Sequence, residues 1–141
     1  MINKVAGPED YPVIVELWEK SVLASHEFLT AADFNEIKTS LPQMLPEVDL
    51  LLWYDKSQLV GFSGTRDTAL EMLFLDPNVF AQGYGRQIID ILKNEYGVQT
   101  VDVNEQNRRA KEFYLKNGFA VVSRSELDDA GRPYPLLHLS L

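Results

Sequence analysis

The chain contains no cysteine, which excludes disulfides, a cysteine nucleophile and thiolate metal sites. Two histidines in 141 residues are too few for a histidine-built metal centre, so no metal is expected. Long apolar runs are missing too. The longest reach about five residues, against the ~20 that span a bilayer. No cationic stretch followed by an apolar run opens the chain. A cytoplasmic protein with no membrane partner is expected. Positive charge is also scarce: 13 Lys and Arg face 21 Asp and Glu, a net charge of −8. Polyanion binding depends on clustered cations, so nucleic acid is not an expected partner. The same field weakly favours a cationic one.

What is present suffices for one core. The length and a hydrophobic content of 45% fit a single domain over residues 1–141. Ile2 to Val5 reads as a strand. Val13, Ile14, Leu17, Trp18 and Val22 recur at helical spacing. A second helix is expected from Thr30 to Ser40, ended by Leu41-Pro42, because the residue before proline avoids the helical region. Leu50–Tyr54 and Leu59–Gly64 read as a hairpin across Asp55-Lys56-Ser57-Gln58. Leu70–Leu75 is a strand stopped by Asp76-Pro77-Asn78, and Thr100–Val103 is another. The helix between them carries Ile88, Ile91 and Leu92, so residues 70–103 predict a parallel crossover. A helix from Asn107 to Asn117 ends at Gly118. Phe119–Ser123 and Leu136–Leu141 finish a mixed sheet with helices against it.

The turn Asp76–Arg86, DPNVFAQGYGR, leads straight into a helix. Glycines at 83 and 85 permit positive φ and close approach of a ligand. A helix start leaves unpaired N–H donors at its positive end, which suits a phosphate. Arg86 adds a cation. A phosphate-binding P-loop is absent, since no Gly-Lys-Ser/Thr follows a four-residue gap. The dinucleotide fingerprint fails as well: seven residues separate Leu75 from Gly83, and Ile88 stands where a third glycine belongs.

From this turn onward the chain resembles the GNAT acetyltransferase superfamily. Leu73-Phe74-Leu75-Asp76-Pro77 and then Gln82-Gly83-Tyr84-Gly85 resemble its strand and its Arg/Gln-x-x-Gly-x-Gly/Ala loop. Asn107, Ala110, Phe113, Tyr114, Gly118 and Phe119 complete its Asn-x-x-Ala-x-x-Phe-Tyr-x-x-x-Gly-Phe block. Phe80 stands where Arg or Gln is usual, which implies a modestly weaker cofactor grip. Ser25-His26-Glu27-Phe28-Leu29, Val103 to Asn107, and Gly131 to Leu137 look like one bacterial subgroup of the family.

The resemblance implies an α/β (α+β) fold: a mixed, mostly antiparallel sheet with a central, splayed parallel pair, flanked by about four helices. It implies acetyl-CoA as cosubstrate, with its pyrophosphate on the N–H groups of Gln82, Gly83, Tyr84, Gly85 and Arg86. Its pantetheine arm would lie along Phe74 and Leu75, with Asn104 and Asn107 as further contacts. Tyr114 is the implied general acid toward the leaving thiolate. With no cysteine, direct attack by a primary amine, on a small molecule or a peptide, is favoured over a cysteinyl intermediate.

Glu71, on the thioester-binding strand, and His26, after the first helix, are the candidate bases. A buried carboxylate takes up protons more readily, and histidine exchanges protons near neutrality. His138 reads as structural. Trp18, Phe28, Trp53 and Tyr134 are either core or acceptor-pocket residues. A non-catalytic acyl-CoA sensor or interaction module is the alternative function, and the protein is a monomer or homodimer.

Overall fold

Leu50, Leu51, Leu52 and Trp53 are all buried. Successive strand residues point to opposite faces, so a strand buried at every position must be covered on both. Leu51 and Trp53 enter one apolar cluster, while Leu50 and Leu52 enter another. The computed structural model describes residues 1–141. Its elements are β1 Ile2–Val5, α1 Tyr11–Ser25, α2 Ala31–Met44, β2 Asp49–Asp55, β3 Gln58–Arg66, β4 Ala69–Leu75, α3 Tyr84–Tyr96, β5 Thr100–Asn104, α4 Arg108–Lys116, β6 Ala120–Ser125 and β7 Leu136–Ser140. One cluster packs α1 and α2 on the sheet; the other packs α3 and α4 on the opposite face.

The seven strands lie in the order β1-β2-β3-β4-β5-β7-β6. Every pairing is antiparallel except β4 with β5. That parallel pair is short: only Ala69 faces Thr100 and Leu70 faces Val101. The cause lies on the other side of β4. Met72 pairs with Gly64 and Leu70 with Thr65, so Glu71 is an extra residue in the β3–β4 ladder. Such a bulge bends its strand, and the β4–β5 ladder stops at the bulge. Beyond it the facing peptide edges of residues 71–75 and 102–104 have no ladder partner, which opens the sheet at its centre.

Three sequence expectations shift in detail. Helix α2 continues through Pro42 to Met44 instead of stopping at Leu41. Proline deletes a single intrahelical N–H donor, and Leu41 and Leu45, both buried, hold the last turn down. The hairpin turn is tighter than expected, with only Lys56 and Ser57 between β2 and β3; Lys56 adopts φ 57°. Strand β6 begins at Ala120, because Phe119 is buried and its N–H closes the end of α4 on the Tyr114 carbonyl.

Candidate active site

The parted strands, the turn into α3 and the start of α4 enclose one cleft of about 990 Å³. It brings together His26, Glu71, Phe74, Leu75, Gly83, Gly85, Arg86, Asn104, Asn107 and Tyr114. The side chains of Gln82 and Tyr84 lie outside that lining. Gln82 Nε2 reaches back to the Asn78 carbonyl at 3.4 Å. Tyr84 Oη donates to Asp55 Oδ2 at 2.6 Å, which fastens the start of α3 to the β2–β3 turn and raises the phenol's pKa.

The backbone of this turn is primed for an anion. No amide from Ala81 to Arg86 donates a hydrogen bond within the protein. The first α3 amide with a partner is Gln87, on the Gly83 carbonyl at 3.2 Å. Consecutive unsatisfied N–H groups at a helix start form an anion cradle. Two left-handed residues, Ala81 at φ 62° and Gly83 at φ 84°, shape it. The two glycines serve different needs. A Cβ at Gly83 would meet nothing within 4 Å, so only its φ demands glycine. A Cβ at Gly85 would lie 3.2 Å from the Phe113 ring, so close packing of α3 on α4 demands it.

Tyr114 is buried in α4, edge-on to Phe113 and Phe119. Its hydroxyl has no hydrogen-bond partner, yet no buried polar side-chain atom is left unsatisfied. The hydroxyl therefore emerges at the cleft surface. Burial raises its pKa, so the phenol keeps its proton at physiological pH.

Asn107 caps α4, its Oδ1 accepting from Ala110 N at 3.2 Å. That orientation turns Nδ2 toward His26 Nε2, 3.4 Å away. On the other side of the ring, Ser25 Oγ spends its proton on the Ser21 carbonyl at 2.7 Å. It must then accept from His26 Nδ1, at 2.8 Å. The imidazole is accordingly neutral, protonated on Nδ1, with Nε2 the acceptor. Burial holds its pKa down at about 4. This chain of bonds links the end of α1 to the start of α4 across the cleft.

Glu71 is exposed at the bulge, 3.9 Å from Arg66 Nε. Trp53 is sealed in the core with Nε1 on Ser63 Oγ at 2.8 Å, and Trp18 stacks on Phe34. Phe28 sits between His26 and Tyr134, at ring separations of 5.2 and 6.0 Å. Tyr134 Oη bonds Asp33, whose pKa is lowered by that bond first, and Arg132 pairs with Glu36 and Asp128. Together they pin the β6–β7 loop to α2. His138 bridges Asp102 Oδ1 at 2.7 Å and Ser125 Oγ at 2.6 Å, tying β5, β7 and β6 on one face. Sequence reasoning assigned neither Arg109 nor Phe113 to the site, yet both line the cleft. Both lie inside the Asn107–Phe119 block, where Phe113 is a motif residue and Arg109 a spacer.

A sheet parted at its centre, with a phosphate-ready helix start beside the gap, is the architecture of an acyl-CoA transferase. Residues 19–134 match the acetyltransferase (GNAT) domain family, and the chain belongs to that family. It is an acetyl-CoA-dependent N-acetyltransferase. It is 39% identical over 141 residues to the peptidyl-lysine N-acetyltransferase YjaB of Salmonella typhimurium, covering 99% of this chain and 97% of that one. The solution structure of apo YjaB from Escherichia coli superposes with a TM-score of 0.86 at 38% identity, over 99% and 97% of the two chains. The fold is shared by PaiA N-acetyltransferase from Thermoplasma acidophilum in complex with coenzyme A, at a TM-score of 0.69 and 18% identity over the full length of both. No helix is long and apolar enough to cross a membrane.

Proposed function

We propose that this chain, working as one domain in the cytoplasm, transfers acetyl from acetyl-CoA to the ε-amino group of a lysine in a protein or peptide. The observation that carries the reading is the run of unpartnered amides at residues 81–86 opening onto the same cleft as the Tyr114 hydroxyl. The lysine acceptor is supported by near-full-length similarity to a peptidyl-lysine N-acetyltransferase, and a net charge of −8 favours approach of a cationic residue.

Acetyl-CoA supplies an activated thioester. The amides of 81–86, with Arg86, hold its diphosphate. The open edges of Phe74 and Leu75 offer ladder donors and acceptors to its pantetheine arm, with Asn104 and Asn107 beside them. Tyr114, kept protonated by burial, gives its proton to the departing sulfur. Glu71, exposed at the bulge, draws the acceptor ammonium and passes its proton to water. His26 has a different task from the base first considered. A pKa of about 4 makes it a poor proton acceptor near neutrality, and it positions Asn107 instead. No cysteine exists to carry an acetyl-enzyme, so attack is direct.

The test is Tyr114→Phe, assayed by thiol release from acetyl-CoA with a lysine-containing peptide. Turnover should fall by about 10²-fold, the size of a positioned acid's contribution, with acetyl-CoA affinity retained. Unchanged turnover would remove Tyr114 from the chemistry. No release with any lysine peptide, while small amines react, would overturn the acceptor class.

A further inference from the structure

Phe80 stands in the loop where family members carry Arg or Gln, and taken alone it predicts a weaker hold on phosphate. The surroundings of the ring say otherwise. Arg109, in the first turn of α4, lays its guanidinium over the Phe80 ring, Cζ 5.5 Å from the centroid. Both side chains line the cleft beside Gly83, Gly85 and Arg86.

We propose that Arg109, perched on Phe80, is a phosphate ligand for CoA that replaces the cation missing from the loop. This deepens the acetyl-CoA reading of the cleft, on which it rests.

Three observations carry it. Arg109 makes no ion pair, in a chain whose acids outnumber its bases and where six of the 13 Lys and Arg are paired. An exposed, unneutralised guanidinium beside unsatisfied amides is the complement of an anion. Second, the cation–π contact holds the guanidinium near the ring without offering it a hydrogen-bond acceptor, and its N–H donors make no hydrogen bond within the protein. A flexible arginine held this way surrenders less freedom on binding. Third, Phe80 directly precedes the amides of 81–86, so the guanidinium above it stands at the mouth of the cradle. The cation has moved from loop to helix while its place in the site is kept.

Calorimetry of the whole chain with CoA and with 3′-dephospho-CoA tests this. Arg109→Ala should weaken CoA binding about tenfold or more, the usual worth of a charge-assisted hydrogen bond, and should flatten the salt dependence of the affinity. The melting temperature should stay, since the side chain is exposed and unpaired. Equal losses with both ligands assign Arg109 to the diphosphate. A loss confined to CoA assigns it to the 3′-phosphate; either supports the proposal. Phe80→Ala should weaken binding in the native chain and add little once Arg109 is gone. Phe80→Arg in the Arg109→Ala background should restore affinity.

Affinity for both ligands unchanged in Arg109→Ala would overturn the proposal. So would fully additive losses for Phe80→Ala and Arg109→Ala, since the ring would then act without the cation. Native protein that fails to bind CoA would instead refute the reading of the cleft itself.

Discussion

Replacing His26 with glutamine tests the electrostatics of the cleft through folding stability. The native imidazole has its pKa lowered from 6.5 to about 4 by burial. Its contacts are neutral: Ser25 and Asn107 on the two nitrogens, with Phe28 and Phe74 against the ring. The unfolded chain, with histidine near 6.5, therefore binds a proton before the native one does. A depressed native pKa means that stability is whole above pH 6.5 and is lost as pH falls toward 4, below which this residue removes no more. At about 1.4 kcal/mol for each pH unit between the two pKa values, the loss approaches about 3 kcal/mol.

Urea unfolding of the native chain and of His26→Gln, at intervals from pH 7.5 to 4, isolates that contribution. Carboxylates titrate in both proteins and cancel in the difference. With an m value of about 2 kcal/mol/M, the midpoints should converge or cross by roughly 1–2 M of urea as pH falls. At pH 7.5 the variant should be the less stable, because glutamine replaces the ring that bridges α1 and α4. At pH 4 it should have recovered most of that deficit. The chain has only two histidines, so a proton NMR titration of the variant identifies the His26 signal by its disappearance. Parallel midpoint curves, or a His26 signal titrating near 6.5, would refute the reasoning and return His26 to the list of bases.

Further predictions concern the turn into α3. Gly85→Ala should cost about 1–2 kcal/mol by overpacking against Phe113 and should weaken CoA binding, both read from urea unfolding and calorimetry. Gly83→Ala meets open space at φ 84°, so its cost should be backbone strain alone, about 1 kcal/mol. Tyr84→Phe cuts the bond to Asp55 and should raise KM for acetyl-CoA while leaving kcat with saturating cosubstrate unchanged; a fall in kcat alone would contradict an anchoring role.

The parts of the molecule legible in the sequence are those whose chemistry is local in the chain. The end of β4 with the Asp76-Pro77 stop, the glycine turn and the Asn107–Phe119 block each work through a fixed spacing, so the residues announce the geometry. The parallel crossover between β4 and β5 was read from the element pattern, and their parting was implied by the resemblance those blocks carry, whereas the order of strands across the sheet came only with the structure. The bulge at Glu71 was not legible either, because it arises from how β3 pairs with β4, and whether that carboxylate faced solvent or the core could not be read from an apolar strand alone. His26 and Asn107 were each singled out, but 81 positions separate them. Only the folded chain, which brings the end of α1 to the start of α4 across the cleft, reveals that His26 Nε2 accepts the spare amide hydrogen of Asn107.

Phe80 is the instructive case, since a departure from a motif reads as a loss when the motif is local and the compensation is not. The loop needs positive charge near its amides, and electrostatics does not specify which element supplies it. Arg109 is separated from Phe80 by all of α3 and β5, and in the sequence it occupies a spacer position between Asn107 and Ala110. Arg109 lies one helical turn before Phe113 on α4, and Phe113 packs on Gly85, where an added Cβ would lie 3.2 Å from its ring. Gly85→Ala should therefore disturb the Phe80–Arg109 stack as well as the helix pair. In the Arg109→Ala background the same glycine substitution should cost less CoA affinity than in the native chain, and an equal cost in both would separate the stack from the packing.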